Sequence, residues 1–236
     1  MSAMYRYLVT AAFCLSITVA ISPLAHAAGG VCKDLPPSKL QVYYVRAVAL
    51  QEEQVAAAEL KRHVPSGALA SQHTMMLTMV TLISWFDIDH RIVPRDDGSV
   101  CDAPELVRMG FGSSQRKIVF ADVLADDACV RRQMLDHEDA HTRAFDSTVD
   151  RFIDDKRSDF EQGMKALKQM PAPSAAVATA RWYEGLRIIV AESKQQLISD
   201  LWEASAGVDK PSVLAALETA CDGKIGKLVR RGAANP

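Results

Sequence analysis

Five consecutive residues, His137 to His141, form the motif His-Glu-x-x-His. On an α-helix, side chains four residues apart lie one above the other on the same face, so the two histidines can direct their imidazoles at one ion. Glu138 lies one position round the helix, beside such an ion. Two histidine ligands and a carboxylate that takes a proton from zinc-bound water are typical of hydrolytic zinc sites. The motif therefore predicts Zn(2+) bound by His137 and His141, with Glu138 as the catalytic general base.

The residues around the motif favour a helix. No Gly or Pro occurs between Ala121 and Gln162, and a long segment without either residue is compatible with continuous helix. The alternative interpretation of the motif is a pair of surface histidines on a charged helix that binds no metal.

In this motif the chain resembles the zincin metallopeptidases, in particular those whose third ligand comes from a separate helix. It departs from the stricter family pattern at Asp139 and Arg143, where the family prefers uncharged and apolar residues. The metzincin extension is absent, because Ala144 and Ser147 occupy its glycine and histidine positions. A more distant likeness is to uncharacterised secreted zinc proteases of proteobacteria, which share a cysteine ahead of the helix and an acidic helix after it. The resemblance implies a peptide or protein substrate, held by an edge strand just before the motif helix.

The third metal ligand must come from elsewhere, since a catalytic zinc ion usually has three protein ligands and no third histidine is near. If the next helix runs antiparallel about a turn near residue 172, His141 faces position 203 and His137 faces position 207. The angular positions of the side chains about their helix axes then favour Glu203 as the third ligand, because it lies on the flank of its helix that faces the histidines. Asp200 is the alternative, as a ligand or as an acceptor that orients an imidazole. Glu192 is about 16 Å further along the axis, which is too far, and Glu203 as a solvated acid at a helix end is the competing interpretation.

The first 27 residues have the pattern of an export signal. Arg6 precedes an apolar run at positions 8–24, and Ala-His-Ala at 25–27 offers small residues where signal peptidase cleaves. The apolar run is short for a membrane-spanning helix. We therefore expect removal of residues 1–27 and a single domain over residues 28–236, periplasmic or secreted. An uncleaved anchor is the alternative.

The charge of the remaining chain restricts its partners. The full chain has 27 Lys and Arg and 29 Asp and Glu, and removal of Arg6 leaves 26 against 29, a net charge of −3. No basic stripe interleaved with aromatic residues occurs, so we expect no nucleic-acid partner. No second long apolar stretch occurs, so we expect no stable membrane insertion after signal cleavage. The oligomeric state is left open.

Four cysteines follow the export signal: Cys32, Cys101, Cys129 and Cys221. An even number in an exported chain predicts two disulfides, and three pairings are possible. We favour Cys101–Cys129, which would join a hairpin region to the start of the motif helix, together with Cys32–Cys221. A zinc site built from these cysteines is disfavoured, because the spacings are long and no Cys-x-x-Cys occurs.

Strands are predicted where apolar and polar residues alternate, or where β-branched and aromatic residues cluster. These segments are 40–48, 75–93, 106–111 and 116–121. The Gly-Ser-Ser sequence at 112–114 predicts a turn, and strong helix formers at 51–63 predict a helix. We interpret His63 as a surface residue and His90 as a hydrogen-bonded sheet residue, not as metal ligands.

Two long helices are predicted in the second half. The first begins near Asp127, runs through the motif and carries an apolar stripe at helical spacing. The Pro-Ala-Pro-Ser sequence at 171–174 ends it, and a second stripe follows from Trp182 to Leu201. We expect a loop at 205–211 and a short helix at 212–220. The predicted fold class is α+β, with a small, mostly antiparallel sheet before a long active-site helix and an antiparallel helical hairpin.

Together these features predict an exported zinc-dependent metallohydrolase, with a peptidase as the leading hypothesis. Tyr183 is a candidate for stabilising the oxyanion. The alternative is a non-catalytic, disulfide-stabilised envelope or binding protein with a vestigial or structural metal site. An amidase that acts on cell-wall peptides would use the same residues.

Overall fold

The structure is a computed structural model that describes residues 32–33, 35–47, 50–56, 59–60, 62, 75–124, 126–168 and 170–234. The predicted export signal, His63 and most of the second half of the helix predicted at 51–63 lie outside the described residues. The described residues form one compact unit.

The described residues form six strands and three α-helices. The strands are β1 (Lys39–Val45), β2 (Leu50–Val55), β3 (Met76–Asp89), β4 (Ile92–Pro94), β5 (Val100–Asp102) and β6 (Leu106–Ala121). The helices are α1 (Ala128–Lys168), α2 (Ala175–Val208) and α3 (Pro211–Ala234). The predicted mixture of sheet and helix, with a long helical hairpin in the second half, is confirmed.

The sheet is organised around β6. One side of β6 pairs with β3 in antiparallel register along its whole length. The other side pairs in parallel, first with β1 and then with β2. The main sheet is therefore mixed, so the prediction of a mostly antiparallel sheet holds only for the β3–β6 pair and for the separate β4–β5 hairpin.

Two local predictions in the sheet region are wrong. The segment 50–55 is strand, because β6 offers unpaired main-chain groups whose hydrogen bonds outweigh the helix propensity of Gln and Glu. The predicted turn at 112–114 is continuous strand with a β-bulge, since the register shifts beside Thr81 and leaves Ser114 as an extra residue. Gly112 has a φ of 148°, and a Cβ atom there would overlap the carbonyl oxygen of Val45. This glycine therefore serves the close approach of β1.

The helices α1 and α2 form an antiparallel pair that packs on one face of the sheet. Their apolar stripes and the inner faces of β3 and β6 form a continuous core. At its centre Phe111 of β6 lies between Phe152 and Phe160 of α1, with ring centroids 5.5 and 5.6 Å apart. None of the described helices has an apolar stretch long enough to cross a bilayer.

The third helix returns to the start of α1. Its backbone leaves helical geometry at 220–223, and beyond this kink Lys224 pairs with Asp127 at 2.7 Å. Asp127 also caps α1, since it accepts hydrogen bonds from the main-chain N–H groups of residues 129 and 130. The predicted loop at 205–211 is mostly helix, because α2 continues to Val208.

The four cysteines form two disulfides, as predicted. They join Cys32 to Cys101 and Cys129 to Cys221, each with a Cα–Cα distance of 6.0 Å. The favoured pairing was therefore wrong. The physical reason is the fold of α3, whose kink places Cys221 against the first turn of α1, while the N-terminal segment lies beside β5.

Candidate metal centre

The two motif histidines lie on one face of α1 and converge on a carboxylate from the end of α2. Nε2 of His137 lies 3.1 Å from Oδ1 of Asp209, and Nε2 of His141 lies 3.0 Å from the same oxygen. The three ligand atoms all lie within 4.8 Å of one another. The histidine side chains are only 10% and 15% exposed, whereas that of Asp209 is 46% exposed. The cluster is therefore walled by protein on one side and open to solvent on the other.

Asp209 reaches the histidines because α2 ends there. It is the C-cap residue of α2, and its main-chain N–H donates to the carbonyl of Ser205 at 3.2 Å. The helix stops because Lys210 precedes Pro211, and a residue before proline disfavours helical geometry. Oγ of Ser205 also lies 3.2 Å from Nδ1 of His141. The last turn of α2 thus holds both nitrogens of the His141 imidazole, which leaves Nε2 directed at Asp209.

The structure brings Asp209, and not the predicted third ligand Glu203, to the two histidines. Glu203 and Asp200 line a shallow groove one helical turn beyond His141, and Asp200 accepts a hydrogen bond from Gln196 at 2.7 Å. The antiparallel pairing about residue 172 sets position 207 opposite His137. The observed residue, Asp209, is two positions away from it. The pairing does not include Asp209, because the sequence predicts a loop at 205–211. A carboxylate two residues before Pro211, just past the predicted helix, was the available signal.

Glu138, the predicted general base, is 5% exposed. Its Oε2 accepts a hydrogen bond from Oγ1 of Thr78 on β3 at 2.5 Å. The carboxylate is therefore fixed against the sheet, and its negative charge acts on the His141 imidazole. The sequence does not predict this role for Thr78, because nothing local distinguishes it from other alternating residues of a strand.

A second polar contact fixes α1 on the sheet. Arg116 of β6 is 8% exposed and pairs with Asp146 of α1, which also accepts a hydrogen bond from the hydroxyl of Tyr44. The Arg116 guanidinium lies over the ring of Phe145, 4.5 Å from its centroid. Charged groups are rarely buried unless paired, so this network and the Thr78–Glu138 pair together specify how α1 lies on the sheet.

The charges of the cluster are mutually dependent. Partial burial opposes ionisation of Asp209, but the hydrogen bonds and charges of the two imidazoles outweigh it and hold the pKa of this carboxyl well below its usual range. Burial likewise opposes protonation of His141. The hydrogen bond with Asp209 and the negative charges of Asp209 and Glu138 outweigh burial, so the pKa of His141 is raised. Both shifts favour a positive charge on the His141 imidazole beside the ionised Asp209 carboxylate.

Two other residues singled out in the sequence lie away from the cluster. Tyr183 packs against Phe86 and His90, with ring centroids 5.8 and 5.7 Å apart. It precedes Ser205 by 22 residues on α2, which is about 33 Å of helix, so it is not an oxyanion candidate. His90 forms a hydrogen bond with the buried Asp102 at 2.5 Å, in agreement with its interpretation as a hydrogen-bonded residue.

Comparison of the chain with family models, with curated proteins and with solved structures finds no match.

Proposed function

We propose that the chain is an exported zinc-dependent metallohydrolase that acts on peptide bonds. The observation that carries the proposal is the convergence of Nε2 of His137, Nε2 of His141 and Oδ1 of Asp209. The Glu138 carboxylate, next to His137 in sequence, is held in place by Thr78. Two imidazoles and one carboxylate are the ligand set of several catalytic zinc sites, which keep a fourth position for water or substrate.

The donor atoms fit a zinc ion. In a tetrahedral site with ligand distances near 2.0–2.1 Å, neighbouring ligand atoms lie about 3.3 Å apart. The observed separations from Oδ1 of Asp209 are 3.1 and 3.0 Å, and the three ligand atoms all lie within 4.8 Å of one another. Zinc held there would supply a Lewis acid that polarises a carbonyl group and lowers the pKa of a coordinated water to about 7.

The chain's own residues then have distinct roles. His137, His141 and Asp209 hold the metal, and Ser205 fixes the orientation of the His141 imidazole through Nδ1. Glu138 accepts a proton from water and delivers it to the leaving amine. Thr78 keeps the Glu138 carboxylate in one orientation.

The sheet offers a place for an extended substrate, though not where the resemblance implied. The strand before the motif helix, β6, has partners on both sides and is not an edge strand. Among the described strands β3 pairs only with β6, so its outer edge is unpaired. Because Thr78 of β3 contacts Glu138, this edge runs past the candidate site and suits binding of a peptide through main-chain hydrogen bonds.

A second candidate is a non-catalytic envelope or binding protein. It is favoured by one observation, that Asp209 lies at hydrogen-bond distance from both imidazoles. The polar groups of the cluster can therefore pair with one another without a metal, and the cluster can act as a polar clamp between α1 and α2.

Elemental analysis separates the two candidates. The full chain is expressed in a host with an oxidising periplasm and purified without chelators, beside His137→Ala/His141→Ala, Asp209→Ala and, as a matched control, Glu203→Ala. We expect about one zinc per chain in the unchanged protein and in Glu203→Ala, and little in the other two. Absence of zinc from the folded, unchanged protein contradicts the proposal and supports the polar clamp.

Catalysis is tested separately with Glu138→Gln. We expect this variant to retain zinc and to lose hydrolysis of a mixed peptide library, since only the proton acceptor is removed. A zinc-loaded protein that cleaves no peptide, or a Glu138→Gln variant as active as the unchanged protein, contradicts the assigned reaction while leaving the metal centre in place.

A further inference from the structure

A polar groove lies at the boundary between α1 and α2, about one helical turn from His141. His137, His141, Ala144, Thr148 and Arg151 recur at intervals of four and three residues, so they lie on one face of α1. The last three of these line a groove of about 520 Å³. Its opposite wall belongs to α2 and includes Asp200, Glu203 and Ala204. The groove therefore lies on the same face of α1 as both histidines.

The charges that line the groove are only partly used within the protein. Arg151 and Glu203 are exposed, and neither has a hydrogen-bond or ion-pair partner among the described residues. Asp200 is half-buried, and its Oδ1 accepts one hydrogen bond from Gln196. Charged groups that face a groove without partners can bind a ligand without first breaking contacts within the protein.

The order of these charges is set by the antiparallel helices. Glu203 lies next to Ala204 and Ser205, at the end nearest the histidines. Arg151 lies ten residues after His141, about 15 Å along the helix axis. That distance corresponds to about four residues of extended peptide. A ligand that runs away from the metal centre thus meets two carboxylates first and a guanidinium afterwards.

We propose that this groove is a substrate subsite for a peptide segment with a basic side chain followed by a free terminal carboxylate. The ammonium group binds Glu203 and Asp200, and the carboxylate binds Arg151, which can form a bidentate pair with it. The inference rests on the proposed function, because it makes the groove a specificity site for the same metal centre. It also reassigns Glu203 from metal ligand to substrate recognition.

Binding of three synthetic peptides tests the proposal. The probes are acetyl-Ala-Lys-Ala with a free carboxylate, the same peptide as its C-terminal amide, and acetyl-Ala-norleucine-Ala with a free carboxylate. Dissociation constants are measured by calorimetry with the full chain, both after chelation and with zinc added. We expect the first peptide to bind about tenfold more tightly than either of the others, since each lacks one charged contact.

Variants assign the contacts. Glu203→Gln should weaken binding of the lysine peptide about tenfold and leave the norleucine peptide unchanged. Arg151→Gln should weaken binding of both peptides that have a free carboxylate and leave binding of the C-terminal amide unchanged. Glu192→Gln, an exposed acid of α2 outside the groove, is the matched control and should bind all three peptides like the unchanged protein.

Equal affinity for the three peptides, or affinities that neither Glu203→Gln nor Arg151→Gln alters, would overturn the subsite. Because the measurement is repeated in the chelated protein, it does not depend on metal. Selective binding by a protein that takes up no zinc would retain the subsite and reject the proposed metal centre, and zinc uptake without selective binding would do the reverse.

Discussion

Replacement of Thr78 by Val tests how the general base is held. Val has nearly the shape of Thr and lacks the hydroxyl that donates to Oε2 of Glu138 at 2.5 Å. Because Glu138 is only 5% exposed, water cannot fully replace the lost donor. A hydrogen bond to a charged group contributes about 1.5–3 kcal/mol, and we expect Thr78→Val to lower the free energy of unfolding by that amount. Thr78→Ser, which keeps the hydroxyl, should cost much less.

The assay is urea unfolding of the chelated protein with intact disulfides, followed by circular dichroism. For a chain of this size, about 1.5–3 kcal/mol corresponds to a melting-temperature decrease of about 3–12 °C. A double-mutant cycle isolates the pair, because in a Glu138→Ala background the Thr78→Val change should cost less than about 0.5 kcal/mol. A cost as large in that background as in the unchanged protein would refute the reasoning, since the effect would then arise from packing of β3.

Three further predictions follow from other contacts. Replacement of Cys129 and Cys221 by Ser opens a loop with a sequence separation of 92 residues, which should cost about 4–5 kcal/mol in urea unfolding; an unchanged midpoint contradicts the observed pairing. Burial raises the pKa of Asp146, but its hydrogen bonds and the nearby guanidinium groups outweigh burial and lower it. Its stabilising contribution is therefore present above about pH 4 and lost as pH falls through the folded pKa. Asp146→Asn should lower the melting temperature at pH 7 and make the melting temperature depend less on pH below pH 4. Zinc at about 1,000 times its dissociation constant should raise the melting temperature by about 8–16 °C, and Asp209→Asn should lose most of this shift.

The long helices could be predicted because their signals are local. The apolar stripe from Phe145 to Leu167 repeats at helical spacing, and two prolines close together mark its end. The strand β2 could not be predicted, because its partner on β6 is more than 60 residues away in sequence. Gln and Glu favour helix only where no sheet edge competes for the same main-chain groups. The bulge at Ser114 was missed for a related reason, since it depends on the register of β3.

The candidate site divides in the same way. His137, Glu138 and His141 were identified by spacing within a single helix, which fixes their relative directions. Asp209 depends on where α2 ends and on the backbone of its cap. A shift of one residue turns a helical side chain by about 100°. Antiparallel pairing therefore predicts how far along the helix axis the third carboxylate lies, but it cannot predict which carboxylate points at the histidines.

The position of Asp209 between two helices makes the site dependent on α3. Pro211 begins α3 two residues after Asp209, and beyond its kink α3 returns to the first turn of α1. There Cys221 is bonded to Cys129, and Lys224 pairs with Asp127. The path from Cys129 along α1 to His141, across to Asp209 and back through α3 is therefore closed. Because α3 follows Asp209 directly and is bonded to the start of α1, the disulfide limits how far Asp209 can move from the histidines, although it lies outside the cluster.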